Sequence, residues 1–225
     1  MVNVGTPKRH APGEMKRFIV EHTALTAVPL VNELVLHLAT ESTALWRATE
    51  SWLEQVGLAP PYWAFAWVGG QALARYVLDQ PSAVRDRVVV DFGAGSGLVA
   101  LAAKRAGARR VIAVDRDPVA LVACELNARA NNEVIEMREA GALDGLDDDV
   151  DVVLAGDVFY ERADASTISI ALRREAGRGL TVLAGCPGRA YTPADATVIA
   201  RYPVPGALEL EGRPERMTQI LRFAS

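Results

Sequence analysis

Cysteine and histidine are scarce in this chain of 225 residues, which contains 2 cysteines and 3 histidines. Cys124 and Cys186 do not form a Cys-x-x-Cys pair and lie in apolar surroundings, so we predict reduced thiols rather than a disulfide framework. His10, His22 and His37 are spaced too irregularly to share a metal ion on one helix. We therefore predict no metal site.

Long apolar runs and an excess of positive charge are also missing. The longest apolar stretches fall far short of the ~20 residues that a membrane-spanning helix needs, and residues 1–10 lack the apolar core of a secretory signal. The formal net charge is −4 and the basic residues are scattered, which argues against nucleic acid as a partner. Half of the residues are hydrophobic, so the length predicts one globular domain over residues 1–225.

A glycine-rich segment that follows an apolar run is the most informative part of the sequence. Residues 87–90 predict a buried strand, and residues 91–97 then read D-F-G-A-G-S-G. Alternating glycines leave no side chains between a ligand and the backbone, and the helix predicted over 98–106 points its first N–H groups at the same gap. We therefore predict a nucleotide-like cofactor at the carboxyl end of the first strand of a parallel sheet. The motif residues are Asp91, Gly93, Gly95 and Gly97.

Two further residues narrow the choice of cofactor. The dinucleotide fingerprint requires a third glycine at the position that Leu98 occupies, so a nicotinamide cofactor is disfavoured. The next predicted strand, 110–114, is followed by Asp115, whose carboxylate can accept hydrogen bonds from ribose hydroxyls. S-adenosylmethionine carries a ribose but no pyrophosphate, and the pattern is typical of its binding sites.

From residue 84 onward, strand and helix patterns alternate, which predicts an α/β fold with a parallel sheet. The last third of the chain predicts strands that close this sheet, one of them antiparallel. Residues 1–83 have a different pattern and predict a mainly helical extension. One amphipathic helix is expected over 45–56 and a short one after residue 68.

The aromatic segment 60–67 joins this extension to the sheet and contains too much proline for an α-helix. We expect Tyr62 and Trp63 to pack into the core. Trp67 precedes Gly69-Gly70, where it either lays its indole over the cofactor or belongs to the core.

The segment after the fourth strand faces the expected position of the reacting group, because ligands bind near the switch point of such sheets. Gly156 lets the backbone approach the cofactor, and Asp157 and Tyr160 follow it. A lysine side chain has a reference pKa near 10.4 and must lose a proton before it can attack a methyl group. We predict that Asp157 holds the incoming ammonium group and that Tyr160 orients the amine. Alternatively Asp157 caps the helix after this strand, and both roles are compatible.

These residues resemble those of the seven-strand protein-lysine methyltransferases known as family 16. Within that family, segment 61–76 is similar to the branch that methylates lysines of the electron transfer flavoprotein β subunit. The resemblance implies a seven-stranded, Rossmann-like class I methyltransferase sheet, S-adenosylmethionine as cofactor and that subunit as the protein substrate. It implies Asp157 and Tyr160 as catalytic residues. The implied cofactor-binding residues are Trp67, Asp91, Gly93, Gly95, Gly97, Asp115 and Gly156.

Two other functions fit the same residues. One is methylation of a different protein, such as a ribosomal protein, and the other is a catalytically silent S-adenosylmethionine-binding module that binds a partner. Since no mitochondrial transit pattern is visible, the chain is expected to be a bacterial, cytoplasmic protein.

Overall fold

The computed structural model describes residues 12–47, 59–206 and 211–224. Within them, the N-terminal part contains α1 (Pro12–His22), β1 (Ala24–Val28), β2 (Val31–Leu38) and α2 (Val68–Asp79), with short 3-10 turns at Ala44–Arg47, Tyr62–Ala64 and Pro81–Ala83. The remaining strands are β3 (Val88–Phe92), β4 (Arg110–Asp115), β5 (Glu136–Glu139), β6 (Val152–Gly156), β7 (Thr181–Cys186), β8 (Thr197–Pro205) and β9 (Glu215–Arg222). Three further helices connect them: α3 (Leu98–Arg105), α4 (Pro118–Ala130) and α5 (Arg162–Gly177).

The described strands β3 to β9 form one seven-stranded sheet in the order β5-β4-β3-β6-β7-β9-β8. The first five are mutually parallel, and β9 runs antiparallel to both β7 and β8. The predicted α/β sheet and its antiparallel closing strand are therefore confirmed. Because β4 and β6 lie on opposite sides of β3, the switch point of the sheet is at the carboxyl end of β3, where ligands of such folds bind.

The centre of the sheet is apolar because helices cover both of its faces. Every residue of β3 is buried, as is typical of an interior parallel strand. One core cluster packs between the sheet and α2 and α3, and a second lies on the opposite face against α5. None of the helices in the described part of the chain is both long enough and apolar enough to cross a membrane.

The third strand begins later than predicted. The sequence pattern places it at 133–137, whereas β5 starts at Glu136. The cause is the end of α4, since Asn132 adopts a left-handed φ of 57° and Glu133 N–H donates to Ala128 C=O at 2.9 Å. This helix termination occupies the residues that would otherwise begin the strand.

The N-terminal extension contains a feature that the sequence patterns did not predict. β1 and β2 pair as an antiparallel hairpin, alongside the α1 and α2 helices. The short helix after residue 68 is confirmed as α2, with Leu73 and Val77 buried. Of the helix expected over 45–56, Ala44–Arg47 forms a 3-10 turn and residues 48–58 lie outside the described residues. The division of the domain at residue 84 stays a prediction.

Candidate functional site

The glycine loop between β3 and α3 needs glycine for its backbone shape. Gly93, Gly95 and Gly97 have φ values of 68°, 54° and 78°, a region that other residues rarely adopt. Space is also limited, because a Cβ at Gly97 would lie 3.0 Å from the sulfur of Cys124. Cys124 and Cys186 are both buried free thiols, as predicted.

Asp115 holds this loop from the end of β4. Its Oδ2 accepts a hydrogen bond from Gly95 N–H at 2.8 Å, and its Oδ1 accepts one from Asp117 N–H at 2.9 Å. A carboxylate has about four acceptor sites, so Asp115 can also receive ribose hydroxyls while it fixes the loop. Its position matches the sequence-based prediction.

Asp91 has a different environment from the one expected of a cofactor ligand. Its side chain is 1% exposed, and its Oδ2 accepts a hydrogen bond from Ala100 N–H at 2.9 Å. Burial raises the pKa of Asp91 to about 7, and the hydrogen bond from Ala100 opposes that shift only in part. Asp91 therefore caps α3 from beneath the loop, and neither it nor Gly97 is among the residues that line the adjoining cavity.

A cavity of about 510 Å³ opens at the carboxyl ends of β3, β4 and β6. Its volume lies within the range of about 300–1,000 Å³ that is usual for small-molecule sites. The predicted site residues that line it are Trp67, Gly93, Gly95, Asp115, Gly156, Asp157 and Tyr160. Ala140 and Gly141, from the loop after β5, complete this side of the wall.

The N-terminus of α2 crosses the ends of β6 and β7 at very short distance. A Cβ added to Gly156 would lie 2.9 Å from the Cα of Gly70, and one added to Gly69 would lie 2.5 Å from the carbonyl oxygen of Gly185. Gly156 is thus required by helix packing, although it also lines the cavity. The same packing brings Trp67, the residue before α2, to the cavity.

Asp157 lies at the centre of this crossing. Its backbone is left-handed, with a φ of 59°, and its side chain is buried. Its Oδ2 accepts a hydrogen bond from Gly69 N–H at 3.1 Å, so it caps the N-terminus of α2. The alternative prediction of a cap on the following helix is wrong, because α5 begins at Arg162 with Glu161 at the cap position.

Arg189 is the partner of Asp157 that sequence reasoning missed. Its Nε donates to Oδ1 of Asp157 at 2.8 Å, and its Nη2 donates to Oδ2 at 2.9 Å. The same guanidinium binds the buried Glu211 through Nη1 at 3.1 Å and Nη2 at 2.9 Å. Burial disfavours the charged guanidinium, but the hydrogen bonds and charges of Asp157 and Glu211 outweigh it and raise the pKa of Arg189. Its position just after β7, at the carboxyl edge of the sheet, is the sequence signal that could have identified it.

Aromatic rings border the cavity near Asp157. Tyr160 and Tyr62 are each 43% exposed, with ring centres 5.4 Å apart, and Trp67 lies 6.1 Å from Tyr62. The indole N–H of Trp67 donates to the backbone oxygen of Tyr62 at 2.9 Å. Trp63 is buried as predicted, but the expectation that Tyr62 packs into the core is wrong. Burial is the main cause that raises the pKa of Tyr160.

Comparisons with known proteins show similarity to methyltransferases. A family model described as Ribosomal protein L11 methyltransferase (PrmA) matches residues 71–158. The electron transfer flavoprotein beta subunit lysine methyltransferase of Xenopus laevis is 38% identical over 187 residues, which are 82% of this chain and 74% of that protein. The Homo sapiens protein of the same name is 39% identical over 182 residues, 78% of this chain and 67% of that protein.

A solved structure is similar enough in fold to be compared with this chain. The precorrin-6y C5,15-methyltransferase of Geobacter metallireducens superimposes with a TM-score of 0.50 at 23% identity, over 69% of this chain and 89% of that one. This likeness supports the class I methyltransferase fold and nothing finer.

The sources of the relatives correct one expectation. Relatives that carry the flavoprotein name come from frog, mouse, human and nematode. The expectation of a bacterial, cytoplasmic protein is therefore wrong. It depended only on the lack of a visible transit pattern, and such a pattern is independent of the folded core that these proteins share.

Proposed function

Because the chain belongs to the family of electron transfer flavoprotein beta subunit lysine methyltransferases, we propose that it transfers methyl groups from S-adenosylmethionine to lysine side chains of that subunit. One observation carries the proposal: the glycine loop, Asp115 and the Asp157–Tyr160 segment all border a single cavity. The substrate is a protein rather than a nucleic acid or a membrane, in keeping with the net charge of −4. We further propose that the whole chain acts as one domain.

The residues around the cavity suit the proposed cofactor. Asp115 has acceptor sites left for the ribose hydroxyls, and Gly93 and Gly95 expose backbone beside it. The indole ring of Trp67 forms part of the cavity wall. Gly156 also lines the cavity, and because it has no side chain it leaves room for the cofactor. Asp91 and Gly97 support the site indirectly by shaping the loop and the start of α3.

When bound, S-adenosylmethionine would supply the methyl group. The lysine nitrogen forms a bond to the methyl carbon as the bond from that carbon to sulfur breaks, and the electron pair of the broken bond stays on sulfur. The lysine must first lose a proton to water, because its reference pKa is near 10.4. The rings of Tyr62 and Tyr160 attract a cation at the entrance of the cavity. Asp157 and Tyr160 orient the nitrogen, since methyl transfer depends chiefly on alignment.

The experiment that tests the proposal compares two tyrosines. Purified wild type, Tyr160→Phe and Tyr62→Phe are incubated with S-adenosylmethionine and electron transfer flavoprotein, and methylated lysines are counted by mass spectrometry. Losing a hydrogen bond to the reacting amine costs about 1.5–3 kcal/mol, so Tyr160→Phe should lower the rate about 10- to 150-fold. Tyr62→Phe is the matched control, because this tyrosine is equally exposed but lies outside the Asp157–Tyr160 segment.

Cofactor affinity by calorimetry and melting temperature should be unchanged in both variants. Equal rates for wild type and Tyr160→Phe would contradict the role of that hydroxyl. No methylation of the flavoprotein by the wild type would contradict the proposed substrate. Ribosomal protein L11 is included as the competing substrate, because the matching family model spans residues 71–158. Turnover on L11 alone would favour that alternative, and any turnover excludes a silent binding module.

A further inference from the structure

The carboxylate of Asp157 has most of its hydrogen-bonding capacity already in use. Oδ1 receives Arg189 Nε, and Oδ2 receives both Arg189 Nη2 and Gly69 N–H. An ionised carboxylate offers about four acceptor sites, so these three hydrogen bonds leave about one, on Oδ1. A free anion could take up an ammonium group in many orientations, whereas this carboxylate can accept one more donor in one direction.

Arg189 is itself held in place from its other side. Glu211 is 7% exposed and accepts two hydrogen bonds from the guanidinium. Arg216 lies 3.6 Å from Glu211 through its Nη1, so the four side chains alternate in sign and their formal charges cancel. Planar, two-pronged pairing of this kind fixes direction as well as distance. Asp157 therefore cannot rotate without breaking contacts to two other parts of the chain.

Building on the proposed lysine methylation, we propose that Arg189 is a positioning residue for methyl transfer, which fixes Asp157 so that a single carboxylate lone pair orients the lysine amine. The guanidinium also neutralises the carboxylate. A neutralised carboxylate does not trap the amine as an ammonium ion, which has no lone pair with which to attack. The role predicted for Asp157 changes accordingly, from holding a cation to aligning a neutral amine.

Other charged and titratable groups face the same cavity and remain present in every variant proposed below. They are Tyr62, Asp115, Arg116, Asp117, Tyr160, Glu161 and Asp164. Because these groups are the same in every variant, a difference in the pH dependence of kcat between Arg189→Met and the wild type is due to the loss of the Arg189 charge.

The test uses Arg189→Met, which removes the charge, and Arg189→Lys, which keeps the charge but not the two-pronged geometry. The full-length protein methylates electron transfer flavoprotein at saturating substrate, and kcat is measured between pH 6 and pH 10. An unpaired carboxylate next to the amine stabilises its ammonium form, so in Arg189→Met the pH at which kcat rises should move up by about 1–3 units. In Arg189→Lys the pH at which kcat rises should stay close to the wild-type value, because the positive charge is kept. The value of kcat should fall by up to about 100-fold, because misplacing reacting groups by about 1 Å has a cost of that size.

A matched control separates this role from general stability. Arg178 binds Glu175, which is also a buried carboxylate, through Nη1 at 2.7 Å, and it lies outside the cavity lining. Arg178→Met should lower the melting temperature without changing the pH at which kcat rises. Calorimetry of S-adenosylmethionine binding and the melting temperature are recorded for all three variants.

The outcomes are distinct. A wild type that does not methylate the flavoprotein contradicts the proposed function and this inference with it. If the wild type methylates the flavoprotein and kcat of Arg189→Met rises at the same pH as that of the wild type, only this inference is overturned. An equal shift in Arg178→Met would likewise overturn it, because the shift would then reflect loss of stability.

Discussion

Asn127 on α4 and Asn131 directly after it connect the N-terminal hairpin to the rest of the fold, and only Asn127 contacts the glycine loop. Asn127 is fully buried, accepts a hydrogen bond from His37 N–H at 2.7 Å and donates to the backbone oxygen of Ser96 at 2.8 Å. Asn131 accepts from Val35 N–H at 3.1 Å and donates back to Val35 C=O. Both residues therefore anchor β2, but only Asn127 also anchors the glycine loop.

We predict that Asn127→Asp weakens cofactor binding, whereas Asn131→Asp does not. Each change keeps the acceptor for β2 but replaces an N–H donor by an oxygen that repels a backbone carbonyl. Each lost hydrogen bond leaves a buried group unsatisfied, at a cost of about 1–3 kcal/mol, so both variants should be less stable. Only Asn127→Asp breaks the hydrogen bond to Ser96, so only in this variant does the backbone of Ser96 become free to move. Cofactor binding must then order that residue, at an entropic cost of about 1–2 kcal/mol. That cost corresponds to roughly a 5- to 30-fold rise in Kd.

The assay is calorimetric titration with S-adenosylmethionine at a temperature where both variants are folded by circular dichroism. Denaturant unfolding supplies the loss of stability in each variant. The expected result is a loss of stability in both variants and a loss of affinity in Asn127→Asp alone. Asn131→Asp should lose at least as much stability, because Asn131 donates two hydrogen bonds, to the backbone oxygens of Val35 and Asn127, whereas Asn127 donates one. Equal Kd values in the two variants would refute the reasoning, because the Ser96 contact would then have no effect on the site.

Two further predictions concern Asp91 and Asp115, the acidic residues next to the glycine loop. Asp115→Ala leaves ribose hydroxyls and the N–H of Gly95 without an acceptor, so calorimetry should show S-adenosylmethionine binding about 5- to 150-fold weaker, equivalent to about 1–3 kcal/mol; unchanged affinity would exclude Asp115 from the site. Burial raises the pKa of Asp91 from 3.8 to about 7, so the folded state binds a proton that the unfolded state has lost, and this residue's contribution to stability falls as pH rises from about 4 to 7. Asp91→Asn keeps an acceptor for Ala100 N–H without titrating, and relative to wild type it should gain up to roughly 4 kcal/mol of unfolding free energy over that interval. Denaturant unfolding at pH 4 and pH 8, on either side of that interval, measures the gain, and an equal difference at both pH values would mean that Asp91 does not titrate there.

Features that depend on neighbouring residues were predictable from the sequence. The run before Asp91 predicted β3 because apolar residues in succession suit a strand buried on both faces. The glycines predicted the loop, since left-handed backbone at Gly93, Gly95 and Gly97 excludes most side chains. Asp115, at the end of β4, was placed correctly because the carboxyl ends of parallel strands share one edge of the sheet.

Features that depend on distant contacts were decided only by the tertiary structure. Asp157 was recognisable from the sequence as a candidate site residue, but its pairing with Arg189, 32 positions away, requires the packing of β6, β7 and the start of α2. The β1–β2 hairpin escaped prediction because asparagines at the C-terminal end of α4 provide part of its hydrogen bonding, and these lie about 90 positions further along the chain. A sequence pattern reports which residues are apolar and which can turn, whereas the orientation and charge balance of a buried side chain follow from the partners that folding brings to it.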